Sequence, residues 1–248
     1  EFYFFKFLSR PSNNEYVFIV GVPRSGTTLL QTRLAKHFRY FSLQRETGVF
    51  SPDFYRRAKN LGGGKGITLV KQFDNFVCEV GHKEKIFIEK TPQHIKNLNW
   101  LLKMFPKSKF IHIYRDPRDI FASMQDNKNT YQGKGVKKFI CYYKQCIRQR
   151  IKVRNHPNLL DVCYEELVYN PQLILPKVMN FLGNKFEADQ LGVLTDPRAS
   201  NSAFKKLSGR IDNSSVESWK KRIKKSAAHE ILRQCGPIQK KFIAQIDR

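Results

Sequence analysis

The sequence predicts an α/β fold of three layers, with a central parallel sheet flanked by helices on both faces. Three observations support this prediction. Short runs of β-branched and aromatic residues recur along the chain, turns that contain Gly or Pro follow most of them, and a helical spacing of apolar residues comes next. Strands that alternate with helices in this way are typical of parallel sheets covered on both faces.

Four strand-and-helix units make up the predicted core, and the first is the clearest. Its strand, residues 16–20, is a Tyr-Val-Phe-Ile-Val run that stops at Gly21, and Leu30 and Leu34 lie at helical spacing beyond it. The second and third strands are each followed by a turn that contains Pro. The predicted pairs of strand and helix are 16–20 with 26–37, 85–88 with 93–104, 109–113 with 117–125, and 159–163 with 171–182.

The remaining segments predict a long loop and a helical tail. Residues 184–214 are polar and rich in turn-forming residues, and long loops in compact domains are often functional, so we expect an active-site loop there. From residue 215 onward the pattern predicts helices, with Trp219 and Ile223 on one face. A chain of 248 residues suits one α/β domain with a sizeable core, so we expect residues 1–248 to form a single domain.

Composition narrows the class of protein. Hydrophobic residues at 41% and aromatic residues at 13% exclude a disordered chain, although the net charge is +24. That charge points to anionic partners such as phosphate-bearing ligands, acidic glycans, anionic lipid or nucleic acid. The basic residues are spread along the whole chain, so charge alone does not choose among these partners. No apolar run approaches the roughly 18 residues of a membrane span.

The five cysteines bear on metal sites and on the compartment. They are odd in number, scattered, and contain no Cys-x-x-Cys pair, so neither a zinc ribbon nor a disulfide scaffold is expected. We interpret them as reduced thiols, which favours a bacterial cytoplasm. The alternative is a domain of the Golgi lumen from which an upstream anchor has been removed. The cysteines are Cys78, Cys141, Cys146, Cys163 and Cys235.

The first motif lies between the first strand and its helix. Residues 21–28 read Gly-Val-Pro-Arg-Ser-Gly-Thr-Thr, and backbone N–H groups at such a helix start bind anions. The glycine spacing resembles a Walker A loop, which makes the predicted fold P-loop-like. Thr27 stands where a Walker A loop carries Lys, and Arg24 supplies a cation one turn earlier, so an ordinary ATPase or GTPase is disfavoured. The bland alternative is a tight turn with Thr27 and Thr28 as first-turn hydroxyls.

The second motif follows the third strand. Residues 114–119 read Tyr-Arg-Asp-Pro-Arg-Asp, and an Arg at the carboxyl end of a strand lies where open α/β sheets bind ligands. Ser123 falls two turns into the next helix. Arg115 and Ser123 could together hold a second phosphate, with a forked, charge-assisted contact from the guanidinium. The alternative is a surface cluster of ion pairs among Arg115, Asp116, Arg118 and Asp119.

Together the two motifs resemble the sulfotransferase family that uses 3′-phosphoadenosine 5′-phosphosulfate (PAPS). Residues 23–28 are similar to its 5′-phosphosulfate loop, and Arg115 with Ser123 is similar to its 3′-phosphate signature. The Glu-Lys-Thr-Pro stretch at residues 89–92 resembles the bacterial, carbohydrate and tyrosyl-protein branch. Tyr-Glu-Glu-Leu-Val at 164–168 also matches a family segment. Four motifs in the family's order make a specific resemblance.

The resemblance implies which residues hold the donor. Arg24, Ser25, Gly26, Thr27 and Thr28 would hold the 5′-phosphosulfate. The remaining donor contacts would come from residues further along the chain: Arg115 and Ser123 on the 3′-phosphate, Tyr164 on the nucleotide, and Ser202 on a phosphate. Relatives often carry a basic residue just before Trp219, where this chain has Ser218, so the C-terminal contacts stay open.

The implied reaction moves a sulfuryl group from PAPS to an acceptor hydroxyl or amine and releases 3′-phosphoadenosine 5′-phosphate (PAP), without a required metal. Lys90 and Arg24 would stabilise charge on the bridging oxygen. Glu46 is the preferred base, because it follows the first helix at the spacing of the glutamate base in the tyrosyl-protein branch. His94 is the rival base and Glu89 a weaker third. A surface pair of Arg45 with Glu46 is the alternative for the carboxylate.

The acceptor is expected to be a carbohydrate hydroxyl, on a glycan or glycolipid, because this set of motifs is common in such enzymes. Tyrosyl-protein and small-molecule alcohol acceptors are the alternatives. The acceptor pocket would come from the segment after Glu46 and from residues 128–138. An anionic membrane surface would also suit the charge, whereas nucleic acid is disfavoured. From another class, a non-catalytic polyanion-binding protein on a P-loop-like fold would explain the charge, while a nucleotide kinase would need magnesium and the missing Lys.

Overall fold

The central sheet has five parallel strands in a computed structural model that describes residues 10–51, 69–81, 85–125, 135–153, 155–194 and 208–246. The strand order is β2-β3-β1-β4-β5, so the first strand lies at the centre. The chain adds strands to one side of β1 and then to the other, which opens a crevice at their carboxyl ends. The strands are β1 (Tyr16–Gly21), β2 (Tyr40–Ser42), β3 (Ile86–Lys90), β4 (Lys109–Tyr114) and β5 (Leu159–Cys163).

Helices cover both faces of this sheet. A 3₁₀ helix at Pro92–Asn97 follows β3 and leads directly into an α-helix. The α-helices of the described residues are α1 (Thr27–Leu34), α2 (Leu69–Val80), α3 (Leu98–Met104), α4 (Pro117–Gln125), α5 (Val136–Lys152), α6 (Tyr164–Tyr169), α7 (Pro171–Phe181), α8 (Trp219–Arg222) and α9 (Lys225–Ile246).

The core consists of two apolar clusters, one on each face of the sheet. Successive side chains of a strand point to opposite faces, so Phe18 belongs to one cluster and Ile19 to the other. Both side chains are fully buried, which is why β1 is a continuous apolar run rather than an alternating one. Phe18 stacks on Phe110 of β4 with 4.7 Å between the ring centroids. The sheet is therefore a rigid platform for the turns at its carboxyl edge.

The predicted three-layer fold is confirmed, with differences at particular elements. All four predicted strands are present, but the first helix ends at Leu34 rather than at residue 37. The predicted 93–104 helix is divided between the 3₁₀ segment and α3. Four elements were not predicted: β2, α2, α5 and α6. The three residues of β2 are too few to show a period, and the sequence of α6 is only six residues long.

The predicted loop at 184–214 is described only in part. It includes a 3₁₀ turn at Ala188–Gln190, and Leu194 pairs with Gly209 in an antiparallel bridge. Arg33 of α1 donates hydrogen bonds to the backbone oxygens of Gly192 (2.6 Å) and Gly209 (2.9 Å), so both ends of the loop attach to the same helix. Residues 195–207, and with them Ser202, lie outside the described residues.

The cysteines and the helices bear on two expectations from composition, which are reduced thiols and the lack of an apolar run as long as a membrane span. All five cysteines are free thiols, and Cys146 and Cys235 are buried. Burial raises the pKa of each of these two thiols to about 12, so both are inert at neutral pH. Among the helices that the structure describes, none combines the length and the apolar character that a bilayer crossing requires.

Candidate active site

The loop after β1 is shaped by two residues in left-handed backbone conformations. Arg24 has a φ of 74° and Gly26 a φ of 106°. A Cβ atom on Gly26 would lie 2.4 Å from Cδ2 of Tyr164, so the position accepts no side chain. The N–H of Ser25 donates to the backbone oxygen of Val22 at 3.0 Å and closes the turn. The chain thus enters α1 with its first N–H groups at the carboxyl edge of the sheet.

The start of α1 has the properties of an anion site. Its first turn contains no acidic residue, and Gly26 supplies no side chain to cap it. Thr27 is buried and Thr28 is half-buried. The Oγ atom of Ser25 is buried and has no hydrogen-bond partner among the described residues. Free N–H groups and the helix dipole both favour a bound anion at this point.

Arg24, Arg115 and Ser123 form a connected cluster beside this loop. Nε of Arg24 donates to Oγ of Ser123 at 3.0 Å, and Nη1 of Arg115 donates to the backbone oxygen of Arg24 at 3.2 Å. The guanidinium of Arg115 lies over the ring of Tyr164, with Cζ 4.2 Å from the centroid. Nε of Arg115 is buried and has no hydrogen-bond partner within the described part of the chain. The structure therefore brings these four predicted donor-binding residues together, with a buried N–H that suits a phosphate oxygen.

The cluster concentrates positive charge. Burial lowers the pKa of Arg24, and the neighbouring guanidinium groups of Arg115 and Arg222 lower it further. Burial and Arg115 likewise lower the pKa of Arg222 in α8. Arg222 was not predicted from the sequence, although the basic run Lys-Lys-Arg after Trp219 was a usable signal. Three guanidinium groups at one edge repel one another, and a polyvalent anion would relieve that repulsion.

Residues 115–119 could instead have formed a surface cluster of ion pairs, and one such pair is present. Arg118 and Asp116 form an ion pair at 2.6 Å, and Asp116 also caps α4 by accepting the N–H of Arg118 at 2.7 Å. Arg115 and Asp119 are instead almost fully buried, with 5% and 1% of their surfaces exposed. Buried charged groups of this kind require specific partners, and those partners belong to the site rather than to the solvent.

Glu46 and Lys90 meet at the same edge of the sheet. Nζ of Lys90, the last residue of β3, lies 2.7 Å from Oε1 of Glu46. Lys90 is 4% exposed whereas Glu46 is 46% exposed, so the ammonium is held inside and the carboxylate is open to solvent. The Glu46 carboxylate therefore pairs with Lys90, a contact that the alternative of a surface pair between Arg45 and Glu46 did not include. The charge of the carboxylate also acts on Arg24, so the pair lies near the loop after β1.

Glu89 and His94 lie inside the protein and contact the loop that follows Glu46. Oε1 of Glu89 accepts the hydroxyl of Thr91 at 2.5 Å, and that hydroxyl oxygen accepts the N–H of Gly48 at 3.1 Å. Nε2 of His94 accepts the N–H of Phe50 at 3.2 Å. Burial raises the pKa of Glu89 to about 7 and lowers that of His94 to about 3. With at most 1% of either side chain exposed, both groups support the loop and neither faces the crevice.

The arrangement has the parts that transfer of an anionic group requires. Arg24 and Lys90 are cations that can stabilise charge on a leaving oxygen, and Glu46 is a partly exposed base beside them. Arg115 and Ser123 can hold a second anionic group of the same ligand. Ser202 is the one predicted site residue outside the described residues.

Comparison with known sequences assigns the chain to a family. The sequence profile described as the sulfotransferase family matches residues 16–66 and 67–188. The chain is 29% identical to protein-tyrosine sulfotransferase 2 of Gallus gallus over 192 residues, which cover 67% of this chain and 50% of the relative. It is 27% identical to protein-tyrosine sulfotransferase A of Caenorhabditis elegans over 189 residues, with 67% and 49% covered. The chain thus spans about half the length of these curated relatives.

Solved structures show the same fold. The sulfotransferase domain of the Synechococcus PCC 7002 olefin synthase superposes with a TM-score of 0.66 at 18% identity, covering 91% of this chain and 94% of that domain. Mouse sulfotransferase SULT7A1, solved in complex with PAP, superposes with a TM-score of 0.57 at 16% identity, covering 93% and 89%. The profile match covers well over half of the chain, which therefore belongs to the sulfotransferase family.

Proposed function

We propose that the protein transfers a sulfuryl group from PAPS to an acceptor hydroxyl, with Glu46 as the base. The observation that carries this proposal is the Lys90–Glu46 pair, 2.7 Å apart, on the same sheet edge as the Arg24, Arg115 and Ser123 cluster. A cation, a base and two anion-binding elements are the groups that this reaction needs.

The donor would lie across the carboxyl ends of β1 and β4. The 5′-phosphosulfate would bind residues 24–28 at the start of α1, and the 3′-phosphate would bind Arg115 and Ser123. The unpartnered N–H of Arg115 and the side-chain-free Gly26 both support this assignment, since each leaves room or a donor for a phosphate oxygen. The PAP complex of the mouse relative supports the same class of donor.

The chemical step follows from these positions. The acceptor oxygen attacks sulfur, the bond from sulfur to the bridging oxygen breaks, and PAP leaves with the electron pair of that bond. Glu46 takes the acceptor proton. Arg24 and Lys90 stabilise the negative charge that develops on the bridging oxygen. The Lys90–Glu46 ion pair orients the carboxylate before the acceptor arrives.

A tyrosyl hydroxyl of a protein is the acceptor that the observations favour. The two curated relatives compared above are named for protein tyrosine. A carboxylate base also suits a phenol, whose pKa of about 10 lies far below that of an aliphatic alcohol. The carbohydrate hydroxyl expected from the motifs is the second candidate, because the same motif set occurs in enzymes that sulfate glycans. The compartment stays a prediction.

Two assays test the proposal. A titration with PAP in the absence of magnesium, against ATP and AMP, should give selective binding that Arg115→Ala removes. Transfer of labelled sulfate from PAPS should then be measured with tyrosine-containing peptides and with neutral oligosaccharides side by side. Indifference to the 3′-phosphate, together with a steep salt dependence, would instead support a polyanion-binding protein. Label on the oligosaccharides alone would make the acceptor a carbohydrate.

A further inference from the structure

Residues 215–219 form a turn that folds back over the Arg115 cluster and leads into α8; we call it the return turn. One end is attached to the site directly, because Nη2 of Arg115 donates to the backbone oxygen of Ser215 at 2.5 Å. At the other end, the guanidinium of Arg118 lies over the ring of Trp219, with Cζ 4.3 Å from the centroid. The return turn therefore contacts the same segment that carries the predicted 3′-phosphate residue.

Asp119 is the centre of these contacts. Its Oδ2 accepts the N–H of Glu217 at 2.8 Å, and its Oδ1 accepts both the N–H of Trp219 at 2.9 Å and the hydroxyl of Ser218 at 3.0 Å. Asp119 lies in the first turn of α4 and is 1% exposed. Hydrogen bonds to a buried carboxylate are shorter and stronger than those between neutral groups. One side chain thus holds three successive residues of the return turn.

The backbone of the return turn needs such support. Glu217 has a φ of 55°, a left-handed conformation that residues with a side chain rarely adopt. Such a conformation persists where the surrounding structure fixes it. The N–H of Glu217 is one of the two backbone groups that Asp119 accepts. Asp119 therefore stabilises the conformation that directs the chain from Ser215 towards α8.

The position of α8 matters because it contributes Arg222. The positive charge of Arg222 acts on both Arg24 and Arg115, so its guanidinium belongs to the same electrostatic cluster. The hydroxyl of Ser218 donates to Asp119, and its oxygen lies 3.5 Å from Nη1 of Arg222, one turn later in the chain. The place of the Arg222 guanidinium therefore depends on the shape of the return turn.

We propose that Asp119 is a positioning residue for the 3′ end of the donor: it holds the return turn so that Arg115 and Arg222 face the 3′-phosphate. The inference rests on the proposed function. Asp119 does not itself touch the nucleotide, since its two oxygens are occupied by the return turn. Its effect is therefore expected in the preference for a 3′-phosphate rather than in the binding of the 5′ end.

The test compares Asp119→Asn with a matched control. Asn keeps the size of the side chain but presents an amide N–H to the N–H of Glu217, so one hydrogen bond becomes a repulsion. The control is Asp74→Asn in α2, whose carboxylate accepts the hydroxyls of Ser12 at 2.9 Å and Tyr16 at 2.8 Å near the amino end of β1. Ser218→Ala removes one of the three hydrogen bonds and should give a smaller effect.

Binding of PAP and AMP is measured for each variant, because AMP differs from PAP only in lacking the 3′-phosphate. Asp119→Asn should weaken PAP about tenfold to a hundredfold, as expected for a lost hydrogen bond to a charged group, and change AMP little. Asp74→Asn should leave the ratio of the two affinities as in the parent protein. A parent protein that does not prefer PAP would contradict the proposed function. A parent that prefers PAP and an Asp119→Asn variant with the same preference would overturn the positioning role alone.

Fluorescence provides a second measurement that does not depend on ligand binding. The chain has two tryptophans, so a Trp100→Phe background leaves Trp219 as the reporter of the return turn. Asp119→Asn in that background should shift the emission of Trp219 to the red, as the indole leaves Arg118 and contacts water. An unchanged emission spectrum would show that Asp119 does not hold the return turn, and would overturn the inference.

Discussion

Two arginine clusters, one around the buried Arg150 and one around the buried Arg115, have opposite electrostatic surroundings. In the first cluster, Nε of Arg150 in α5 donates to Oδ1 of Asp161 at 2.9 Å, and Nη2 pairs with the same carboxylate. His112 also contacts this carboxylate, with its Nδ1 2.7 Å from Oδ1. Burial alone would raise the pKa of Asp161, but the hydrogen bonds from His112 and Arg150 bring it below its ordinary value. Here the cation is compensated.

In the second cluster, Arg24 donates to the hydroxyl of Ser123 and lies near the guanidinium groups of Arg115 and Arg222. Burial and these two cations lower its pKa, and the attraction of the Glu46 carboxylate offsets this effect only in part. This difference distinguishes a buried charge with a structural role from a charge that binds a ligand. A buried cation that pairs with a carboxylate of the same protein has a structural role. Several cations that lie close together and repel one another indicate a binding site for an anionic ligand.

The largest effect is expected at Glu46, the proposed base, which lies beside the second cluster. Glu46→Gln should lower kcat about 10² to 10⁴-fold, because the acceptor proton loses its base, while the Kd for PAP changes little. Turnover of labelled PAPS and a PAP titration measure the two quantities. Arg45→Ala, one residue earlier and exposed, is the control and should turn over normally. Normal turnover in Glu46→Gln would remove the base role from this residue.

Next in size is the loss of compensation in the first cluster. Arg150→Ala should lower the free energy of unfolding by about 3 to 5 kcal/mol, because Asp161 is then buried without its cation. Urea unfolding measures the change, and PAP binding by the folded fraction should be retained. Arg148→Ala, two residues earlier on an exposed position of α5, should leave the unfolding midpoint unchanged. Equal midpoints for the two variants would contradict the structural role.

A third prediction concerns Glu89, a buried carboxyl next to the Lys90–Glu46 pair. Its pKa in the folded protein is about 7, above the ordinary 4.5, so the folded state holds this proton more tightly than the unfolded state. The resulting stabilisation is complete below pH 4.5 and is lost as the pH rises through 7, by up to roughly 3 kcal/mol. Urea unfolding at pH 5 and pH 8 should show a smaller difference in Glu89→Gln. The same difference in both proteins would refute the assignment.

The smallest effect is expected at Arg115 itself. Arg115→Ala should weaken PAP binding by about 1.5 to 3 kcal/mol, the range for hydrogen bonds to a charged group, and lower the unfolding free energy less than Arg150→Ala does. The variant loses hydrogen bonds to the backbone oxygens of Arg24 and Ser215, but the removal of one of three repelling cations offsets part of that loss. Arg233→Ala on α9, exposed and paired with Glu230, is the control for overall charge. A large loss of stability in Arg115→Ala would place Arg115 with Arg150 as a structural cation.

The sequence was sufficient to predict the position of those parts of the fold and of the candidate site that depend on neighbouring residues in the chain. A buried strand needs a continuous apolar run, and a loop that binds phosphate needs Gly and hydroxyl residues between a strand and a helix, so β1 and residues 21–28 were predictable. Arg115 was predictable for a related reason, because the carboxyl end of a parallel strand has a fixed place in such sheets.

Other features depend on contacts between residues that are distant in the sequence. The return turn is held by hydrogen bonds to Asp119, which lies about a hundred residues earlier in the sequence. The local sequence at residues 215–219 therefore does not predict it. The pairing of Lys90 with Glu46 and the burial of His94 depend on how the loop after β2 packs against β3. The predicted acceptor segments fall largely on residues 52–68 and 126–134, outside the described residues.

The contact between Gly26 and Tyr164 has a consequence for folding. The loop that contains Gly26 follows the first strand, but the ring that packs against it comes directly after β5, the last of the described strands and an edge of the sheet. Contacts between such distant parts of a chain form late, because a long loop must close first. A nascent chain that ends before β5 would have the loop without its aromatic wall. The loop should therefore gain its contact with Tyr164 only after β5 joins the sheet. The return turn, which follows later in the chain, would complete the cluster around Arg115 last.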